Sequence, residues 1–149
     1  RSFIGFPSVT TSYMYKLQKQ ILFTLDKIKI NDKVVKFSRS FSNIDDDSTY
    51  PGHILIQKFQ NFIIESQKNL IASVNYYKPE LIILDTYSTS MHELYNSKSE
   101  IVCFLDNGSK VKNNFRKLYS KRIHFVENIN QFKNILKKFQ SGKLKYKSK

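Results

Sequence analysis

Apolar residues in this chain fall into two patterns: short unbroken runs, and longer stretches that repeat at three- and four-residue steps. The runs FIGF (3–6), VVKF (34–37), NFIIES (61–66), LIILD (81–85), IVCFLD (101–106) and IHFV (123–126) predict strands. LIIL and IVCFL show no alternation, as expected of strands covered on both faces. YMYKLQKQILFTLDKI (13–28) sets Met14, Leu17, Ile21, Leu22, Leu25 and Ile28 on one helical stripe, with Ser12 or Thr11 as its cap. QKNLIASVNYYK (67–78) predicts a helix stopped by Pro79. Two more helices are expected over residues 88–98 and 109–121. NINQFKNILKKFQ (128–140) closes the pattern as an amphipathic helix with Ile129, Phe132, Ile135, Leu136 and Phe139 on one face. HILIQKFQ (53–60) fits either a short helix or a strand, and SRSFSNIDDDSTYPG (38–52), with an acidic triplet at 45–47, predicts a loop.

Strand and helix alternating in this way imply parallel pairing through crossover helices. The expected fold is therefore α/β: a doubly wound, Rossmann-like three-layer domain with a mainly parallel sheet of about five to six strands. It would span residues 1–140, leaving 141–149 as a basic, frayed tail.

Length and composition agree with one domain, since 149 residues with 40% hydrophobic and 14% aromatic content can bury a sizeable core. The sequence holds no run of 18 apolar residues, and RSFIGFPSV is too short and polar for a signal peptide. The opening Arg1, in place of methionine, suggests a processed or partial chain. The single Cys103 excludes an internal disulfide and a cysteine-based zinc site, and its apolar neighbours predict a buried strand residue. A reducing, cytoplasmic setting is expected.

Charge changes the picture more. The net charge is +13, with six bases and no acid over residues 110–122, and seven bases and no acid over 133–149. Such a field attracts nucleic acid, an anionic membrane surface or phosphorylated small molecules. Abundant Lys, Asn and Ile also fit a plain compositional bias. Single-strand nucleic-acid binding draws support from nine tyrosines and twelve phenylalanines, but most phenylalanines fall at core-type positions.

Candidate chemistry lies where strands exit. After LIILD come Thr86, Ser88, Thr89 and Ser90, small hydroxyl residues at a helix start, where free amides attract a phosphate. Glu93, one turn on, would reach a ribose hydroxyl. Ser90 and Glu93 equally fit a capping box. After VVKF, Lys36 and Arg39 would offer a phosphate fork or simply a solvated charge. The turn after FIGF carries Ser8, Thr10, Thr11 and Ser12, either phosphate donors or an N-cap. His53, His92 and His124 show no metal spacing, His92 would point away from Glu93, and His124 reads as structural. The sequence contains no GxGxxG or GxxxxGK[ST] and no nucleophile–base–acid set.

The run NFIIESQKNLIASVNYYKPELIILDTYSTSMHELYNSKSEIVCFLD (61–106) resembles the C-terminal half of GT-B transferases that build bacterial surface polysaccharides. It is nearest to the surface-carbohydrate and CDP-glycerol glycerophosphotransferase-like groups. The matching residues are Asn69-Leu70, the strand ending at Asp85, Tyr87-Ser88-Thr89-Ser90, Glu93 and the strand ending at Asp106. GFPSVTTSYMYKLQKQILFTL and KNNFRKLYSKRIHFVENINQFKNIL resemble the family's first strand, turn and helix and its closing strand and helix. Glu100 stands where the family usually has proline, and VVKFSRS lacks the His-Pro pair of many relatives.

The resemblance implies a donor-binding domain. Ser88, Thr89 and Ser90 would hold the diphosphate of a nucleotide-activated donor, and Glu93 its ribose, sugar or glycerol; Arg39 and Thr11, from the other two strand exits, are further candidate binding residues outside the family pattern. No separate cofactor or metal is implied; the donor is the substrate, and basic residues offset the leaving-group charge. The partner would be an N-terminal half of the same enzyme, which supplies the acceptor site and the base. The piece alone would be inactive. The alternative is a non-catalytic basic α/β module that contacts nucleic acid or an anionic surface.

Overall fold

The computed structural model describes residues 2–6, 12–28, 33–37, 58–59, 61–65, 67–105 and 113–144. Six strands and five helices lie among them: β1 (Ser2–Phe6), α1 (Ser12–Asp26), β2 (Lys33–Phe37), β3 (Phe62–Ile64), α2 (Leu70–Tyr77), β4 (Leu81–Leu84), α3 (Thr89–Leu94), β5 (Glu100–Phe104), α4 (Asn113–Tyr119), β6 (Ile123–Val126) and α5 (Ile129–Gln140). The expected loop at 38–52 and nearly all of HILIQKFQ lie outside the described residues.

The strands form one open sheet in the order β3-β2-β1-β4-β5-β6. Every neighbouring pair is parallel. The fold is thus α/β around a parallel sheet, as the alternation of runs and periodic stretches predicts. Successive strands grow outward to one side as far as β3, then the chain returns to the other side of β1 to lay down β4, β5 and β6. The reversal between β1 and β4 places their carboxyl ends side by side, with Gly5 opposite Leu84.

Among the described side chains, those of β2, β4, β5 and β6 alternate between two covered faces, whereas Ile63 and Ile64 of β3 stay exposed. Val35, Leu81, Ile83, Val102, Phe104 and Val126 pack with Leu17, Ile21, Leu22 and Leu25 of α1 and with Phe132 and Leu136 of α5. The alternate residues Val34, Ile82, Leu84, Ile101, Cys103 and Ile123 pack with Val74 of α2 and Met91 and Leu94 of α3. β4 and β5 are buried along their whole length, so their sequences are continuous apolar runs. Each fully buried Leu or Ile contributes roughly 1.5–3 kcal/mol by leaving water. The α1 stripe is therefore worth far more than any single hydrogen bond on that face.

Several ends differ from expectation for local reasons. α2 starts at Leu70, because Asn69 Oδ1 accepts from the Ala72 N–H at 2.8 Å. It stops at Lys78, which adopts a left-handed conformation (φ 44°) ahead of Pro79. α3 ends at Leu94, short of the 88–98 expectation, where Tyr95 N–H donates to His92 O (3.3 Å) and Ser97 N–H to Leu94 O (2.9 Å), three-residue bonds that replace the helical ladder. The Arg122 guanidinium donates to Ser97 O and Ser99 O (2.6 and 2.5 Å), and the Ser99 hydroxyl to Pro79 O (2.7 Å). After α5, Gly142 (φ 67°) turns the chain back and Lys143 N–H donates to Lys138 O at 2.8 Å. Residues 141–144 are thus a structured helix end rather than part of a frayed tail.

Candidate functional site

β4 delivers the hydroxyl-rich turn to the edge where the strand order reverses. Asp85, the residue after the strand, is buried, and its Oδ2 accepts from Gln18 Nε2 of α1 at 2.9 Å. Gln18 is itself fully buried amid the apolar stripe of α1. A neutral amide thus meets a carboxylate inside the fold and fixes the start of the turn against the opposite helix. Such a charge-assisted bond is among the stronger kinds.

Ser88 is the N-cap residue of α3, with extended backbone (φ −155°, ψ 176°) and a carbonyl that accepts from Met91 N–H at 3.0 Å. Its hydroxyl makes no capping bond, and Oγ is buried without a hydrogen-bond partner. The expected capping box of Ser90 and Glu93 does not form. The helix begins two residues earlier than that cap requires, at Thr89, which places Ser90 inside it. Thr89 and Glu93 are exposed and Ser90 is half-buried. Ser88, Thr89 and Ser90 share one turn, and Glu93 follows one turn later on the same helix. Arg39 and Thr11 lie outside the described residues.

Lys36 sits in β2 opposite Gly5, two residues on from Val34 and so on the face covered by α2 and α3. It is 7% exposed, which removes the solvated-charge reading for that residue. Among the described residues no group of three His, Cys, Asp or Glu is placed to hold a metal. No described helix is long and apolar enough to cross a membrane.

The two described histidines are engaged with other side chains, and His53 lies outside the described residues. His124 Nε2 meets Glu100 Oε2 at 2.8 Å, both buried, in a pair across β5 and β6 that fits the structural role expected of His124. His92 turns away from Glu93, as helix geometry requires, and reaches Tyr119 of α4 (Nδ1 to Oη, 2.6 Å) and, more loosely, Tyr87 (Nε2 to Oη, 3.4 Å). A cleft of about 260 Å³ opens beside this cluster, lined by His92, Tyr95, Asn96, Leu118 and Tyr119. It lies at the far end of α3 from the serine turn, and sequence reasoning missed it. The available signal was the four-residue step from Phe115 to Tyr119, which stacks two rings on one side of α4.

No protein-family model, curated protein or solved structure matches the chain.

Proposed function

We propose that this domain holds a nucleotide-activated donor at the carboxyl edge between β1 and β4, as the donor-binding half of a GT-B-type transferase of surface carbohydrate. The observation that carries the reading is the strand order. In doubly wound, Rossmann-like sheets of this order, ligands bind where the order reverses, because the connections on either side leave to opposite faces and open a crevice. Here α1 covers one face and α3 the other, and the crevice falls at the turn that carries Ser88, Thr89 and Ser90.

Two features make that turn suited to a phosphate oxygen. The backbone extends into Ser88 and then coils, so the first amides of α3 have no partner within the helix. The Ser88 hydroxyl is buried without a partner, a condition that costs about 1–3 kcal/mol and that a ligand acceptor would relieve. Ser88, Thr89 and Ser90 would hold the diphosphate, Glu93 the ribose or the transferred group, and Lys36 would supply a cation from the neighbouring strand. Departure of the diphosphate is then eased by fixed donors aimed at the developing charge. The acceptor site and base belong to a separate N-terminal half, so this domain alone is expected to bind donor without turning it over.

Calorimetric titration with CDP, UDP and GDP tests the reading. At least one is expected to bind more tightly than about 1 mM, near −4 kcal/mol, and Ser88→Ala to weaken that binding severalfold. Absence of heat at millimolar nucleotide, or equal binding by Ser88→Ala and Thr89→Ala, would remove the assignment.

A further inference from the structure

The cleft between α3 and α4 is built from rings that hold one another. Tyr119 receives His92 edge-on (5.0 Å, 84°) and Tyr95 edge-on (5.4 Å, 87°). Phe115, one turn earlier on α4, lies nearly parallel to Tyr119 (5.9 Å, 14°) and stays 45% exposed. Leu118 beside it is 55% exposed. Aromatic and aliphatic surface is thus presented to water on a scaffold whose ring orientations are already fixed.

The floor is polar. Asn96 offers an amide with donors and an acceptor, the chemistry needed to meet the edge of a base. The volume of about 260 Å³ falls just below the roughly 300–1,000 Å³ of sites for drug-sized ligands, so it suits one ring system rather than a dinucleotide.

Basic residues adjoin the lining residues in sequence. Arg122, fully buried, reaches from the end of α4 to Ser97 O and Ser99 O. Lys98 stands between those two carbonyls and two residues after Asn96, and Lys121 precedes Arg122 and follows Tyr119 by two. Both lysines are exposed and neither pairs with an acid among the described residues. Arg116 is already paired with Glu127 at 2.9 Å. Glu93 is the acid nearest along α3, one turn before Asn96, and it opposes a chain whose net charge is +13.

We propose that this cleft seats a base of a single-stranded nucleic acid, with the phosphates on either side passing Lys98 and Lys121. Stacking on a π-face together with a cationic track is the usual physics of sequence-tolerant single-strand binding. An acidic peptide would find the lysines but has no counterpart for the parallel rings. The inference is independent of the donor reading, because Tyr95 and Asn96 follow the last turn of α3 whereas Ser88 opens the first.

Fluorescence anisotropy of a labelled oligothymidylate of about 12 nucleotides, within the usual site sizes, tests the proposal across a salt series. Tyr95→Ala, which removes a half-buried ring that lines the cleft, is expected to weaken binding by about tenfold, within the range for one stacked base. Lys121→Ala is expected to lower the salt slope by about 0.7, the value for one phosphate on a single strand. Saturating CDP or UDP is expected to leave the oligonucleotide bound, so failure of the nucleotide titration does not decide this one. Circular dichroism establishes that each variant folds, and Leu118→Ala provides a second variant, exposed and on α4. Three results would overturn the proposal. One is no anisotropy change at 100 μM protein and low salt; another is undiminished affinity in both Tyr95→Ala and Leu118→Ala, which would assign binding to the basic C-terminal stretch. The third is a loss on poly-glutamate equal to that on the oligonucleotide, which would assign the cleft to an acidic peptide.

Discussion

Gln18 and Asp85 stand 67 positions apart in the chain and meet in the interior at 2.9 Å, the amide nitrogen of α1 donating to the carboxylate that ends β4. Neither partner is near the sequence pattern that identifies the other. Gln18 interrupts an apolar stripe, and Asp85 closes an apolar run. Together they join the helix that leaves β1 to the turn that leaves β4, beneath the point where the strand order reverses.

A double-mutant cycle on this pair measures how firmly the turn is held. Gln18→Met keeps volume and removes the donor; Asp85→Asn keeps shape and removes the charge. Hydrogen bonds to charged groups contribute about 1.5–3 kcal/mol, and the coupling energy from chemical denaturation is expected within that range. Additive effects would mean that the bond does not persist in solution. If the donor reading is also correct, both single variants weaken nucleotide binding, since the turn bearing Ser88 loses its anchor.

Glu65 supplies a pH signature. Its carboxylate accepts from the N–H groups of Lys68 and Gln67 (2.8 and 2.9 Å) and from the Tyr77 hydroxyl (2.9 Å). The Lys68 amide chiefly, with Tyr77, Gln67 and the Lys68 charge adding to it against the cost of burial, lowers its pKa from 4.5 to about 2. A depressed folded-state value means that this stabilisation is complete above about pH 4.5 and is lost as the pH falls towards 2. Glu65→Gln is expected to melt earlier than the wild type at neutral pH. The gap should close across that acid window. A gap that persisted unchanged at pH 2 would show that the carboxylate charge is not what holds the loop between β3 and α2.

Cys103 makes a chemical test of the core. It is fully buried in β5, and burial, with the Asp85 charge adding to it, pushes its thiol well above the ordinary range. The thiolate is the reactive form, so the native protein is expected to resist iodoacetamide at pH 8 and to react fully in denaturant. Rapid labelling under native conditions would contradict the packing of β5 between α3 and its neighbours.

The face covered by α1 and α5 depends on one aromatic contact in particular. Phe132 is fully buried and meets Phe104 at 5.2 Å with a 54° tilt. Phe132→Ala is expected to cost about 3–5 kcal/mol in urea unfolding, the usual range for a large buried ring. A loss under 1 kcal/mol would mean that α5 is not docked as described.

The sequence made the sheet legible and the polar architecture mostly not. All six expected strands are present, and β4 and β5, buried along their length, write themselves as apolar runs that no helix of that length shares. The helix starts were read less well. Ser90 was as good a cap as Ser88 by residue type, and the choice was made by where β4 lets the chain turn. Arg122 reads as one more base in a basic stretch, yet it is fully buried because two carbonyls from the β4–β5 connection converge on it. Pairings such as His124 with Glu100 depend on strand register, which local spacing does not carry. Of the proposed donor site, the turn at 88–90 was readable as a strand exit, whereas its position at the reversal of strand order required the topology.

Lys78 stores strain that a single substitution should release. It caps α2 in a left-handed conformation (φ 44°), with its N–H bonded to Val74 O at 2.9 Å, and Pro79 follows. A side chain in that region costs roughly 1–2 kcal/mol, a cost glycine avoids. Part of the gain is lost because glycine frees the unfolded chain. Lys78→Gly keeps the capping N–H and is expected to stabilise by about 1 kcal/mol, a rise of about 3 °C in Tm for a domain of this size. Lys78→Ala retains the Cβ and is expected to give no such rise, which separates backbone strain from loss of the lysine charge. Equal melting of the two variants would show that the left-handed turn is not populated, and that α2 ends by fraying rather than at a fixed cap.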